Sequence, residues 1–146
     1  MSRRIFVFLA GLVCLAGAGA QSSVVNYESP QVHPIDLSPD GKTLAVCNTI
    51  DNRIELFNVT GVNPVATGSV PVGYDPVSVR FRTNGELWAV NYVSDSVSVV
   101  DVAARNVKAT ITTLDEPADV AFAGAPQRAF VSASRVNTIQ VFDPAN

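Results

Sequence analysis

One phrase recurs three times in this chain of 146 residues, at a spacing that few architectures share. His33-Pro34-Ile35-Asp36-Leu37 leads through Ser38-Pro39-Asp40-Gly41-Lys42 into Leu44-Ala45-Val46-Cys47-Asn48 and then Arg53-Ile54-Glu55-Leu56-Phe57-Asn58. The second copy begins at Asp75-Pro76-Val77-Ser78-Val79, turns at Thr83-Asn84-Gly85, and continues as Leu87-Trp88-Ala89-Val90-Asn91 and Ser96-Val97-Ser98-Val99-Val100-Asp101. The third runs from Glu116-Pro117-Ala118-Asp119-Val120 through Arg128-Ala129-Phe130-Val131-Ser132 to Thr138-Ile139-Gln140-Val141-Phe142-Asp143. Pro34, Pro76 and Pro117 are 42 and 41 positions apart; Asn58, Asp101 and Asp143 are 43 and 42 apart. A fixed period of this size, built from short apolar runs between turn residues, marks a blade-by-blade β architecture. The expectation is an all-β chain of about three repeats, at about 32–73, 74–114 and 115–146, each a propeller blade of four antiparallel strands in an incomplete ring.

Alternating or wholly apolar runs within each unit read as strands and not as helix. The innermost strand, a, is expected at 34–37, 77–82 and 118–122, and strand b at 43–47, 86–90 and 128–132. Strand c is expected at 53–58, 96–102 and 138–142, and strand d at 65–71 and 108–113, with 24–27 a further candidate. Asp40-Gly41 and Asn84-Gly85 sit at the same a-to-b turn and offer the positive φ of tight hairpins, whereas Gly124-Ala125-Pro126-Gln127 replaces them in the third unit. Asn52, Asp95 and Asn137 before strand c, and Asn58, Asp101 and Asp143 after it, have short side chains that accept backbone amide bonds and tolerate turn conformations. Residues repeated once per blade are blade-building residues first. Trp88, Phe57, Phe81, Phe122, Phe130 and Phe142 are the expected large packers between blades.

The first twenty residues belong to a different kind of segment. Arg3 and Arg4 precede an apolar stretch and Ala18-Gly19-Ala20 supplies small residues for cleavage, so 1–20 is expected to be a signal peptide. At sixteen residues, the stretch from Ile5 to Ala20 is short for a membrane span of about twenty. The expectation is a secreted, periplasmic or surface-attached protein without a transmembrane span. Setting aside Arg3 and Arg4 from 10 basic residues leaves eight against 13 acidic ones, a formal charge of about −5. Phosphate binding needs clustered Lys and Arg, so nucleic acid is not expected as a partner. Cys47 is then the one remaining cysteine, in a Val-rich strand where a buried apolar role fits. His33 is the one histidine, which excludes a multi-histidine zinc site, and no cofactor or metal is expected.

Ser38-Pro39-Asp40-Gly41-Lys42-Thr43-Leu44-Ala45-Val46-Cys47-Asn48, Leu87-Trp88-Ala89-Val90-Asn91 and Asp95-Ser96-Val97-Ser98-Val99-Val100-Asp101 resemble the YVTN family of β-propeller repeats. Val70-Pro71-Val72-Gly73-Tyr74-Asp75-Pro76 is similar to that family's link between blades. The resemblance implies a bacterial propeller outside the cytoplasm, usually of seven blades. Three blades leave two apolar sheet faces uncovered, so the chain is expected to be the N-terminal part of a longer protein or to associate with itself.

The expected function is a non-enzymatic scaffold that binds a protein or small molecule through the blade loops or the central channel. Asp36, Ser78 and Asp119, near the starts of the innermost strands, are the candidate channel-facing groups. The alternative is part of a propeller enzyme, lactonase-like or linked to haem. His33 would then be an axial ligand or general base. Against that, Tyr74-Asp75 and Asp115-Glu116 fill the same slot in the other units, which reads as an exposed link. The chain has no C-x-x-C-H haem attachment motif.

Overall fold

The computed structural model describes residues 30–145. The expected signal peptide at 1–20 and the candidate strand at 24–27 lie outside them. The described residues form eleven strands in three antiparallel sheets, with no helix among them. Blade one holds β1 (Ile35–Leu37), β2 (Thr43–Asn48), β3 (Arg53–Asn58) and β4 (Val65–Pro71) in that spatial order. Blade two holds β5 (Pro76–Thr83), β6 (Glu86–Asn91), β7 (Ser96–Asp101) and β8 (Asn106–Thr112). Blade three holds β9 (Pro117–Ala123), β10 (Arg128–Ala133) and β11 (Thr138–Phe142). These are the expected strands to within two residues at nearly every end. The architecture is therefore the expected run of propeller-type blades.

Pairing registers explain why the blades stack. Leu44 pairs with Phe57 and Leu37, and Val46 with Ile35 and Glu55, so these side chains share one face of blade one. Ala45, Cys47, Ile54 and Leu56 alternate onto the other face, as the period of two requires. That second face meets Val79, Phe81, Leu87, Ala89 and Val100 of blade two in one core. Trp88, Val90, Val97 and Val99 point the other way from blade two and meet Val120, Ala129 and Val131 of blade three, with Phe122 and Phe142 packed alongside. Trp88 and Phe122 stand edge to face, their centroids 5.2 Å apart. Blade two is thus buried on both sides, and β6 is buried along its whole length.

Full burial of one such side chain contributes about 1.5–3 kcal/mol, whereas an exposed ion pair contributes about 1 kcal/mol or less. The apolar junctions hold the blades together. Phe57 and Phe130 depart from their expected role, because each lies half-buried on a face that no described blade covers. Cys47 is buried as expected, and burial pushes its thiol up to about 12.

The turns follow the expected chemistry with one correction. Asn52, Asp95 and Asn137 all have positive φ, at 53°, 46° and 50°. Asn52 Oδ1 accepts the amide of Asp75, and Asp95 Oδ1 that of Glu116, so each turn ties its own blade to the start of the next. Asn58, Asp101 and Asp143 accept the amides of Thr60, Ala104 and Ala145. Gly41 has φ of 72°, but neither Asn84 nor Gly85 is left-handed. Asn84 instead directs its Oδ1 to the amide of Asp40 in the neighbouring blade, 3.0 Å away. In the third unit the turn is built with Gly124 at φ of 90° and a cis Ala125–Pro126 bond.

Candidate functional site

Asp36 on β1, Ser78 on β5 and Asp119 on β9 all lie on the first strand of their sheets, but the pairing registers set Ser78 and Asp119 at one position of the blade and Asp36 at the position of Arg80. Two of them touch. Ser78 Oγ donates to Asp119 Oδ1 at 2.5 Å. Arg80, two residues further along the same face of β5, grips the same carboxylate from Nε to Oδ1 at 3.2 Å and from Nη2 to Oδ2 at 2.7 Å. Burial opposes ionisation of Asp119, but the hydrogen bonds from Arg80 and Ser78 outweigh it and hold the carboxyl below its ordinary value. The Asp119 hydrogen bond also raises the Arg80 pKa. Asp36 stands apart from this pair: its Oδ2 accepts the Phe81 amide at 2.7 Å, crossing from blade one to blade two.

Asp36, Arg80 and Arg82 line a cleft of about 450 Å³ together with Phe81, Phe122 and Gln127. The guanidinium of Arg80 spends Nε and Nη2 on Asp119, and that of Arg82 spends Nε and Nη2 on Glu86. A guanidinium has five N–H donors, so both Nη1 groups remain without an acceptor among the described residues. Asp119 neutralises Arg80, whereas Glu86 is shared between Arg82 and Lys108; Asp36 balances the positive charge left over, so the cleft combines unspent donors with the Asp36 acceptor and little net charge.

His33 departs from the reading as an exposed link. Val32 and His33 both donate their amides to Val77 O, at 2.9 and 3.2 Å, and His33 O accepts the Val79 amide at 2.9 Å. This stretch pairs parallel to β5 opposite Ser78. The imidazole Nε2 is buried without a hydrogen-bond partner among the described residues, 3.8 Å from Asp36 Oδ1. The structure thus brings His33 to Asp36 and Ser78 to Asp119. No group of three or more metal-ligating side chains occurs among the described residues.

A second charged cluster went unnoticed in the sequence. Glu86 is 5 % exposed and accepts Trp88 Nε1 at 2.9 Å, Lys108 Nζ at 2.5 Å and two bonds from Arg82. Burial opposes its charge, yet the bonds from Arg82, Lys108 and Trp88 prevail and lower its carboxyl to about 2. Arg80 was equally invisible as a partner of Asp119, 39 positions away. A signal did exist: counted back from the Asp40-Gly41 and Asn84-Gly85 turns, Arg80 falls at the position of Asp36, so this place in strand a carries a charge in two of the three units.

The stacked sheets of three and four antiparallel strands and the polar inner edge define a protein of propeller type. Solved structures agree. The chain is similar to hydrazine synthase of Kuenenia stuttgartiensis, with a TM-score of 0.71 and 27% identity over 86% of this chain and 36% of that one. It is also similar to a candidate 6-phosphogluconolactonase of Bacteroides uniformis, with a TM-score of 0.66 and 21% identity over 81% of this chain and 39% of that one. A second such candidate, from Bacteroides fragilis, matches with a TM-score of 0.61 and 18% identity, over 75% of this chain and 33% of that one. The chain therefore spans between a third and two-fifths of the length of these neighbours. No protein-family profile and no curated protein matches it. Among the described residues, no helix is long and apolar enough to cross a membrane.

Proposed function

We propose that this chain is an exported propeller-repeat scaffold, similar to the YVTN repeats, that binds a small polyhydroxylated ligand in the cleft beside Asp36, Arg80 and Arg82. The observation that carries this reading is that Arg80 and Arg82, each held by a carboxylate and each with an unspent Nη1, line the same 450 Å³ cleft as Asp36. Hydroxyl groups both donate and accept, so a neutral polyol satisfies Asp36 and the arginines together. An anion would gain little, because Asp36, Asp119 and Glu86 together balance Arg80, Arg82 and Lys108. Phe81 and Phe122 supply apolar wall. The Arg-Arg start and small-residue end of 1–20 support export.

Calorimetric titration of the purified chain with a panel of neutral monosaccharides, alongside gluconate, tests this. Binding of a neutral sugar that is weakened at least tenfold by Arg82→Gln supports it; gluconate binding in preference to every neutral sugar overturns it. A second reading, lactone hydrolysis, is favoured by His33 lying 3.8 Å from Asp36 and by the likeness to the two candidate lactonases. Turnover of glucono-1,5-lactone, lost in His33→Ala, would establish that reading over the first. A haem-linked reading would rest on His33 as axial ligand, and a haem absorption band in the purified protein, lost in His33→Ala, is its test.

A further inference from the structure

We propose that a second copy of this chain docks head to tail, joining the free face of blade three in one copy to the free face of blade one in the other. The chain contains the template for this contact twice. At the first junction, strands b and c of blade one present Ala45, Cys47, Ile54 and Leu56 to Leu87, Ala89 and Val100 of blade two. At the second, the matching positions of blade two, Trp88, Val90, Val97 and Val99, meet Ala129, Val131 and Phe142 of blade three. One more step of the same operation reaches faces that no described residue covers.

On blade three, the positions equivalent to Trp88, Val97 and Val99 are Phe130, Ile139 and Val141, with Ile139 65 % and Val141 56 % exposed. On blade one, the positions equivalent to Leu87, Ala89 and Val100 are Leu44, Val46 and Phe57, beside Ile35 and Leu37, which are 48 % and 47 % exposed. The two free faces are the two halves of a junction already built twice inside the chain. Each face fits the other and not itself, so the contact is heterologous. A hollow of about 230 Å³ beside Phe130 and Ile139 lies on the blade three face. Phe57 of the second copy takes the place there that Phe142 takes beside Trp88.

Two copies supply six blades, within the range of about four to eight over which propellers close. A closed pair has two such junctions and leaves neither face exposed.

Light scattering coupled to size exclusion tests this with two variants at exposed positions, Leu37→Asp on blade one and Val141→Asp on blade three. The parent chain is expected at twice the protomer mass over a dilution series. Each variant alone is expected at the protomer mass. An equimolar mixture of the two is expected to recover the doubled mass, because each retains the face that the other has lost. Circular dichroism confirms that each variant keeps its sheet; one that does not is replaced by Ile35→Asp or Ile139→Asp on the same face. A parent chain that stays monomeric overturns the proposal, as does a dimer abolished by one variant but untouched by the other, which is the mark of a face pairing with itself. A ladder of larger oligomers overturns ring closure.

Discussion

Glu86→Gln removes the carboxylate on which Arg82, Lys108 and Trp88 converge. The native carboxyl titrates at about 2 instead of its ordinary 4.5, since Arg82, Lys108 and Trp88 all donate to the charged form. That gap corresponds to about 3 kcal/mol of stability at neutral pH. It is an upper figure, because Lys108 is half exposed and its share is screened by solvent and salt. The sign follows from proton binding. The folded pKa lies below the unfolded one, so the contribution is complete above about 4.5 and is lost as pH falls from there towards 2. Glutamine keeps an acceptor for Trp88 Nε1 but leaves Arg82 and Lys108 without their counter-charge. Urea unfolding followed by circular dichroism at pH 7, 5, 4 and 3 is expected to show a variant weaker by about 2–3 kcal/mol at pH 7 and 5. The difference should narrow steadily below pH 4.5. A difference that stays constant down to pH 3, or one below about 0.5 kcal/mol at pH 7, would refute the reasoning.

Gly73→Ala is expected to destabilise by about 1–3 kcal/mol, since a Cβ there would meet Ser94 Oγ and come within 2.6 Å of Asn91 Nδ2. Asn91 is fully buried and bonded to Ser96 and Ser98, so it has nowhere to move; an unchanged melting temperature would contradict this. Asn52→Ala is expected to cost about 1–2 kcal/mol through the lost bond to Asp75 and an unfavourable positive φ. Asn52→Gly should cost less than Asn52→Ala, because only the bond is lost, and the order of the two melting temperatures checks it. Cys47 is expected to resist a thiol reagent at pH 8 in the folded chain and to react fully in urea, as its burial and raised pKa require; fast native labelling would place it at the surface.

Much of the fold is legible because blades are local objects. Each hairpin joins strands close in sequence, so alternation, the Asp40-Gly41 turn and the Asn or Asp after each strand c announce the strands one by one. The recurrence of Ser78 and Asp119 also follows from the period alone, whereas the pairing registers set Asp36 at the position of Arg80. Their chemistry does not. Which carboxylate Arg80 grips depends on how far blade three rotates against blade two, a quantity set by the packing of Trp88, Val97 and Val99 against Val120, Ala129 and Val131. His33 shows the same limit: its slot in the repeat suggests a loose link, but stacking of blade one lays it beside β5.

Periodicity, turn chemistry and the alternation of side chains by themselves determined the class of fold, the number of blades and nearly every strand boundary, since these rest on interactions between neighbours in the chain. Only the tertiary structure decided that Asp119 belongs to Ser78 and Arg80, that Glu86 gathers Arg82, Lys108 and Trp88, and that Phe57 and Phe130 lie on uncovered faces. Those outcomes depend on distances between blades, and a repeat of about 42 residues repeats the blade without encoding which of its exceptional residues will meet.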